Sequence, residues 1–282
     1  MTVLEAIQKT AGFFAARGIE SARLEAELLL AHVLGVNRMK LYLAFDRALS
    51  AAEVAAFREL VRRRGQRQPL QHLVGTVSFC GLELAVSPAA LIPRPETEEL
   101  ARLGWEFLAP RAAPAALDWG TGTGCLAIAL AVNCPAATLA AVDVSEAALA
   151  LARANVHRHQ LSHRVTCFAG DGFAALPASS RYDLLISNPP YIPTAELAML
   201  QPEVRDHDPR LALEGGPDGL EMFRRLAAEA GPWLKADGRV MLEFGDGQAA
   251  AVARIFHDQN WVVEAVLEDY SRRARFLVAR RS

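Results

Sequence analysis

The sequence predicts an α/β fold: a Rossmann-like, mostly parallel seven-stranded sheet with helices on both faces, preceded by a small helical bundle and a β-hairpin. Three observations support this. Residues up to about Gly75 carry helical spacing and no strand pattern. Strand-like and helix-like segments alternate from Ala115 onward, which implies parallel strands with crossover helices. Between these regions, Thr76–Phe79 and Leu82–Val86 flank Cys80-Gly81, the pattern of two short strands about a tight turn. The expected domains are 1–75, a hairpin linker over 76–93, and 94–282.

In the first region, Leu4 to Arg17 reads as a helix. Ser21 is expected to cap a second helix, with Leu24, Leu28 and Ala31 on one face. Ser50 and Glu53 form a capping-box pattern for a third, which carries Val54, Phe57 and Val61 and ends at Gly65. After prolines 88, 93 and 95, Glu96 to Leu108 reads as helix. The expected sheet strands are 115–118, 138–142, 164–168, 182–187, 239–244, 261–267 and 275–279. Helices are expected around Leu126 and over 146–159, 219–234 and 248–259. The last two strands are joined by a short connection, which suits an antiparallel pair.

Composition narrows the functional classes. The chain has 282 residues, 52% of them hydrophobic, which is ample for a packed core. No run approaches the roughly 20 apolar residues of a membrane span, and Met1 to Thr10 lacks the features of a secretion signal. A cytoplasmic protein with no membrane partner is expected. Cys80, Cys125, Cys134 and Cys167 show no Cys-x-x-Cys spacing, so neither a disulfide framework nor a zinc site is expected. His157, His159 and His163 have no carboxylate in register and read as exposed polar residues rather than metal ligands. A formal net charge of −2 argues against a whole-surface nucleic-acid binder. Arg62, Arg63, Arg64 and Arg67 form a local basic cluster, read first as a solvated helix end and otherwise as an attractor for an acidic partner.

Chemistry concentrates at two strand ends. The run Asp118-Trp119-Gly120-Thr121-Gly122-Thr123-Gly124 follows a strand and opens a helix. Its glycines admit close backbone approach, and the helix start offers free N–H groups. Asp143, ending the next strand, can accept hydrogen bonds from both hydroxyls of a ribose. A dinucleotide fingerprint would need glycine where Cys125 stands, and no P-loop lysine follows. The Gly-x-Gly-x-Gly spacing resembles S-adenosylmethionine-dependent methyltransferases. By that resemblance Asp118 meets the ligand's methionine end, and Asp171-Gly172 lies where the adenine is contacted. Gly172 has no side chain, so Phe173 or backbone is expected to cover the base.

The second strand end is Asn188-Pro189-Pro190-Tyr191, where an apolar strand stops at two prolines. An amide or exocyclic amine nitrogen is a poor nucleophile because its lone pair is delocalised. The Asn188 side-chain oxygen and the Pro189 carbonyl can each accept one hydrogen of an –NH2 group, turning its developing lone pair towards an electrophilic methyl. The Tyr191 ring can stack on the planar substrate and exclude water. Orientation alone can supply up to roughly 7–11 kcal/mol in well-arranged systems. Glu243, at the end of a later strand, is expected to hydrogen-bond at the core edge rather than act as a general base.

Taken together, the chain resembles the HemK/PrmC family, glutamine N5-methyltransferases that modify peptide-chain release factors. The likeness runs through Glu25–Gly35, Pro69–Gly75, Phe79–Leu84, Leu91–Leu100 and Asp208–Gly216. Its most specific part is Arg94-Pro95-Glu96-Thr97-Glu98; relatives that modify a ribosomal-protein glutamine usually carry Arg-Ser-Pro there. The resemblance implies S-adenosylmethionine held by Gly120, Thr121, Gly122, Thr123, Gly124, Asp143, Asp171, Gly172 and Asn188, and glutamine held by Asn188, Pro189, Pro190 and Tyr191. It further implies S-adenosylhomocysteine as product, no metal, a release factor as protein substrate held partly by the helical domain, and a monomer. The chain departs from the family at Trp119, in place of a small aliphatic residue, at Gly172, in place of an aromatic, and over Asp269–Arg275. The rival readings are a ribosomal-protein glutamine methyltransferase and a DNA adenine N6-methyltransferase, which presents the same planar –NH2. The latter would need a basic groove and a base-flipping surface.

Overall fold

The computed structural model describes residues 1–282, which divide into two compact units. The first comprises Met1–Thr76 together with Gln201–His207, and the second Val77–Leu200 with Asp208–Ser282.

The first unit contains α1 (Val3–Ala15), α2 (Ala22–Leu34), α3 (Arg38–Tyr42), α4 (Ala51–Gly65) and α5 (Leu70–Val74). Ile7, Phe14, Leu29, Leu30 and Phe57 form its core. Ser50 and Glu53 make the reciprocal capping box, as their spacing predicts. Ser21 does not cap α2 through its side chain. The buried face of α2 carries Ala26, Leu29 and Leu30, while Leu24 is exposed. Of the expected face Ala31 is buried and Leu28 partly so; successive leucines at 28, 29 and 30 admit more than one apolar stripe, and packing turns the helix towards Leu29 and Leu30. Every arginine of the basic cluster has a partner within the first unit, though Arg62 stays exposed. Arg64 is buried between Glu25 and Glu203, Arg67 reaches Glu203 at 2.8 Å, Arg62 pairs with Glu59 at 2.7 Å, and Arg63 donates to Gln68 at 2.9 Å.

In the second unit, β1 (Thr76–Phe79) and β2 (Leu82–Ala85) pair as the hairpin. Sequence reading sets 76–93 apart as a linker, yet Phe79 and Leu84 are buried in this unit's core. The chain continues through α6 (Pro95–Leu108), β3 (Ala115–Trp119), α7 (Cys125–Asn133), β4 (Thr138–Asp143), α8 (Glu146–Arg158), β5 (Val165–Ala169) and β6 (Tyr182–Ser187). Then come α9 (Pro202–Arg205, within the first unit), α10 (Glu221–Glu229), β7 (Leu234–Glu243), α11 (Ala249–Asp258), β8 (Trp261–Glu268) and β9 (Ala274–Arg281). The sheet order is β5-β4-β3-β6-β7-β9-β8, with the first five strands parallel and β9 antiparallel to both β7 and β8. Strand alternation feeds two cores: Ala116, Leu184 and Ile186 face one, Leu117 and Leu185 the other.

This topology positions the site. From β3 the chain winds outward through β4 and β5, then returns to place β6 on the other side of β3. The strand order reverses there, and the loops leaving β3 and β6 diverge to open a crevice at their carboxyl ends.

Candidate active site

The loop after β3 has positive φ at Gly120 (73°), Gly122 (56°) and Gly124 (82°), conformations that favour glycine. A Cβ at Gly120 would meet nothing within 4 Å, and one at Gly122 only the Ala90 Cβ at 3.8 Å, so the loop leaves open space above its backbone. Two carboxylates hold it in shape. Asp118 is buried, and its Oδ2 accepts from Thr121 Oγ1 (2.6 Å) and from the Ala127 N–H (3.1 Å). Burial pushes its pKa up to about 7. Asp118 lies beneath the loop and is absent from the cavity wall, and its Oδ1 has no protein partner. Asp143 Oδ2 accepts from the Gly122 N–H and Oδ1 from the Ser145 N–H, both at 2.9 Å. A carboxylate has about four acceptor sites, so capacity remains for two ligand hydroxyls.

The crevice is a cavity of about 420 Å³. Its walls include Gly120 to Thr123, Asp143, Asp171, Gly172, Asn188 and Pro190. Gly124, Pro189 and Tyr191, also expected at the site, are not part of the wall. Tyr191 is half-buried instead, its ring against Gly245, where a Cβ would come within 3.0 Å of Tyr191 Cδ2. Burial, reinforced by the Glu243 carboxylate, pushes the Tyr191 hydroxyl up to about 12.

Phe173 does not cover the space beside Gly172. It is buried behind the wall, stacked on Trp233 with ring centroids 5.5 Å apart. Trp119 occupies that space: a Cβ on Gly172 would lie 2.9 Å from Trp119 Nε1. The indole lines the cavity, is 6% exposed, and its Nε1–H has no partner. The two departures at 119 and 172 therefore share one space: the indole at the end of β3 fills the room beside Gly172, which follows β5 on the far side of β4. Arg225 caps the arrangement, its guanidinium 5.6 Å from the Trp119 ring centroid and bonded to Asp171 at 2.5 Å.

Asn188 follows β6, which is tied to β3 by a hydrogen bond from Ser187 Oγ to the Trp119 carbonyl (2.5 Å). Its Nδ2 donates to Thr97 Oγ1 at 3.1 Å, and Thr97 Oγ1 donates to Glu243 Oε2 at 2.6 Å. No protein group donates to Asn188 Oδ1 or to the Pro189 carbonyl. Arg94, in the same wall, pairs with the buried Asp208 at 2.6 Å. Sequence reading missed the Thr97 link; its one signal is that Thr97 falls inside the Arg94–Glu98 run.

What the arrangement offers is an open glycine cradle, a carboxylate with spare acceptors, an aromatic wall and an amide oxygen to which no protein group donates. Residues 101–205 match the methyltransferase small domain, and residues 5–75 match the PrmC N-terminal domain. A methyltransferase from Pyrococcus furiosus shares the fold, with a TM-score of 0.53 at 20% identity over 71% of this chain and 89% of its own. Fold and site thus define a Rossmann-like methyltransferase. A release factor glutamine methyltransferase from Geobacter sulfurreducens is 47% identical over 255 residues, 90% of this chain and 88% of that protein. One from Chlorobaculum tepidum is 41% identical over 98% of this chain and 96% of its own. The chain belongs to the release factor glutamine methyltransferase family.

Proposed function

We propose that this chain uses S-adenosylmethionine to methylate the side-chain amide nitrogen of the glutamine in the Gly-Gly-Gln motif of peptide-chain release factors. The observation that carries this reading is the commitment of the Asn188 amide nitrogen to Thr97, which leaves Oδ1 as a free acceptor in the wall of the glycine-loop cavity.

The cavity residues suit the cosubstrate. Asp143 retains acceptors for the ribose hydroxyls, the open cradle over Gly120 and Gly122 admits close approach, and the Trp119 indole lines the wall where the adenine would pack. When bound, the cosubstrate supplies a methyl group activated by its sulfonium. The chain supplies orientation. Asn188 Oδ1 and the Pro189 carbonyl would accept the two amide hydrogens and so fix which way the nitrogen lone pair faces. No strong base is needed before transfer, because the proton leaves once the nitrogen has become tetrahedral. Tyr191 helps hold the turn: its carbonyl accepts from Gln248 Nε2 at 2.9 Å.

We assign release-factor binding in part to the first unit, on the strength of its match to the PrmC N-terminal domain. No helix is long and apolar enough to cross a membrane, and no group of three or more His, Cys, Asp and Glu residues could hold a metal ion. The test is mass spectrometry of a Gly-Gly-Gln peptide from an intact release factor after incubation with labelled S-adenosylmethionine. The expected result is one labelled methyl on the glutamine side chain. A methyl elsewhere, or transfer to adenine in duplex DNA instead, would contradict the reading.

A further inference from the structure

Asparagine carries an oxygen and an NH2 group of nearly equal size at the end of one planar group. A half-turn about its last torsion exchanges acceptor for donor. Only one of the two orientations serves an –NH2 substrate, since the other sets donor against donor. Something in the fold must select it.

We infer that Thr97 and Glu243 form a polarised hydrogen-bond chain that sets which way round the Asn188 amide faces, and that both are positioning residues for methyl transfer. The inference rests on the glutamine-amide reading of Asn188 given above. An ionised carboxylate only accepts. Glu243 Oε2 therefore takes the single hydroxyl hydrogen of Thr97, and Thr97 Oγ1 turns lone pairs alone towards Asn188. Asn188 must aim Nδ2 at it, which leaves Oδ1 for the substrate. The chain links the start of α6 (Thr97), the turn after β6 (Asn188) and the end of β7 (Glu243). Thr97 and Glu243 are 2% and 1% exposed, so water does not compete for these bonds. The Arg94–Glu98 run thereby acquires a physical role, since it delivers a hydroxyl to the back of Asn188.

The polarity depends on the charge of Glu243. Once protonated, Glu243 can donate to Thr97, whose own hydrogen is then free to face Asn188, and the amide loses its preferred orientation. Burial raises the Glu243 pKa to about 7. Around it, the Thr97 hydrogen bond and the guanidinium groups of Arg275 and Arg94 favour ionisation, Glu96 opposes it, and the Tyr191 hydroxyl faces it.

The experiment compares wild type with Thr97→Val, Thr97→Ser and Glu243→Gln. It reads kcat and KM for the Gly-Gly-Gln substrate across pH, S-adenosylhomocysteine affinity by calorimetry, and the Asn188 side-chain amide resonances by NMR. Thr97→Val is expected to lower kcat roughly 10–100-fold with cosubstrate affinity little changed. Thr97→Ser, which restores the hydroxyl, should return kcat to within about threefold of wild type. Wild-type kcat should fall as pH drops through about 7, and the Asn188 resonances should move with the same midpoint. In Glu243→Gln both pH dependences should vanish. The inference is overturned if serine rescues no better than valine, or if the Asn188 resonances are indifferent to pH and to Glu243→Gln. The NMR readout needs no substrate, so a wild-type enzyme that methylates no glutamine would refute the substrate reading while the resonances still decide the relay.

Discussion

The burial that fits Glu243 for the proposed positioning role also ties the stability of the fold to pH. Its folded-state pKa, raised from an ordinary 4.5 to about 7, means the folded chain holds a proton that the unfolded chain has released between those values. Stability from this group therefore falls as pH rises through that window, and the loss is complete above about pH 7. It amounts to something on the order of 3 kcal/mol. Glu243→Gln should accordingly raise the melting temperature at pH 8 and raise it less at pH 5, even as activity drops. Calorimetry at the two pH values checks this, and an equal gain at both would contradict it. Asp118, also raised to about 7 by burial, has the same sign. At this scale the sequence was legible where one residue type answers one demand. The alternating glycines of 120–124 and the carboxylate at 143 stand where their spacing places them. The bracing of the loop by Asp118 was not legible, because an acidic residue beside a binding loop looks the same whether or not it also holds the loop from below. The pairing of Trp119 with Gly172 was visible only as two separate departures, since nothing in a linear chain says that the ends of β3 and β5 share one space.

The elements of the second unit were legible because parallel strands buried on both faces read as apolar runs separated by helical spacing. Strand ends moved by at most two residues, except for β7, which begins at Leu234 where its expected start was 239. Lys235, Asp237 and Gly238 hide that early stretch from an apolar pattern. Helix α6 lies close to the sheet because of Gly104, where a Cβ would come within 2.8 Å of Leu130 Cδ2 and 3.0 Å of Ile186 Cδ1. Gly104→Ala should therefore overpack this contact and destabilise the protein by about 1–3 kcal/mol, despite alanine's better helix propensity. Urea unfolding of the variant measures the change; an increase in stability would mean that α6 packs more loosely than these distances require.

Over the whole chain, the division into a helical unit and a sheet unit follows from the change in sequence texture near residue 76. The membership of Gln201–His207 does not, because a four-residue helix between two loops has no periodicity to read. Charge brings it into the first unit: Glu203 accepts from Arg64 at 2.9 Å and from Arg67 at 2.8 Å. Arg64 and Arg67 of the arginine cluster thus serve the first unit's own structure. Arg64 is 4% exposed, so removing its partner leaves a buried charge short of one carboxylate. Glu203→Ala should destabilise the first unit by roughly 1–3 kcal/mol, seen as a lowered midpoint of the earliest transition in a calorimetric scan. An unchanged scan would show that Glu25 alone satisfies Arg64.

One measurement tests the central claim most directly: the single-turnover rate of Asn188→Ala, preloaded with S-adenosylmethionine, on intact release factor. Methyl transfer should fall at least about a hundredfold while S-adenosylhomocysteine affinity stays within about tenfold of wild type. Transfer at close to the wild-type rate by a variant with no amide oxygen at position 188 would contradict the account.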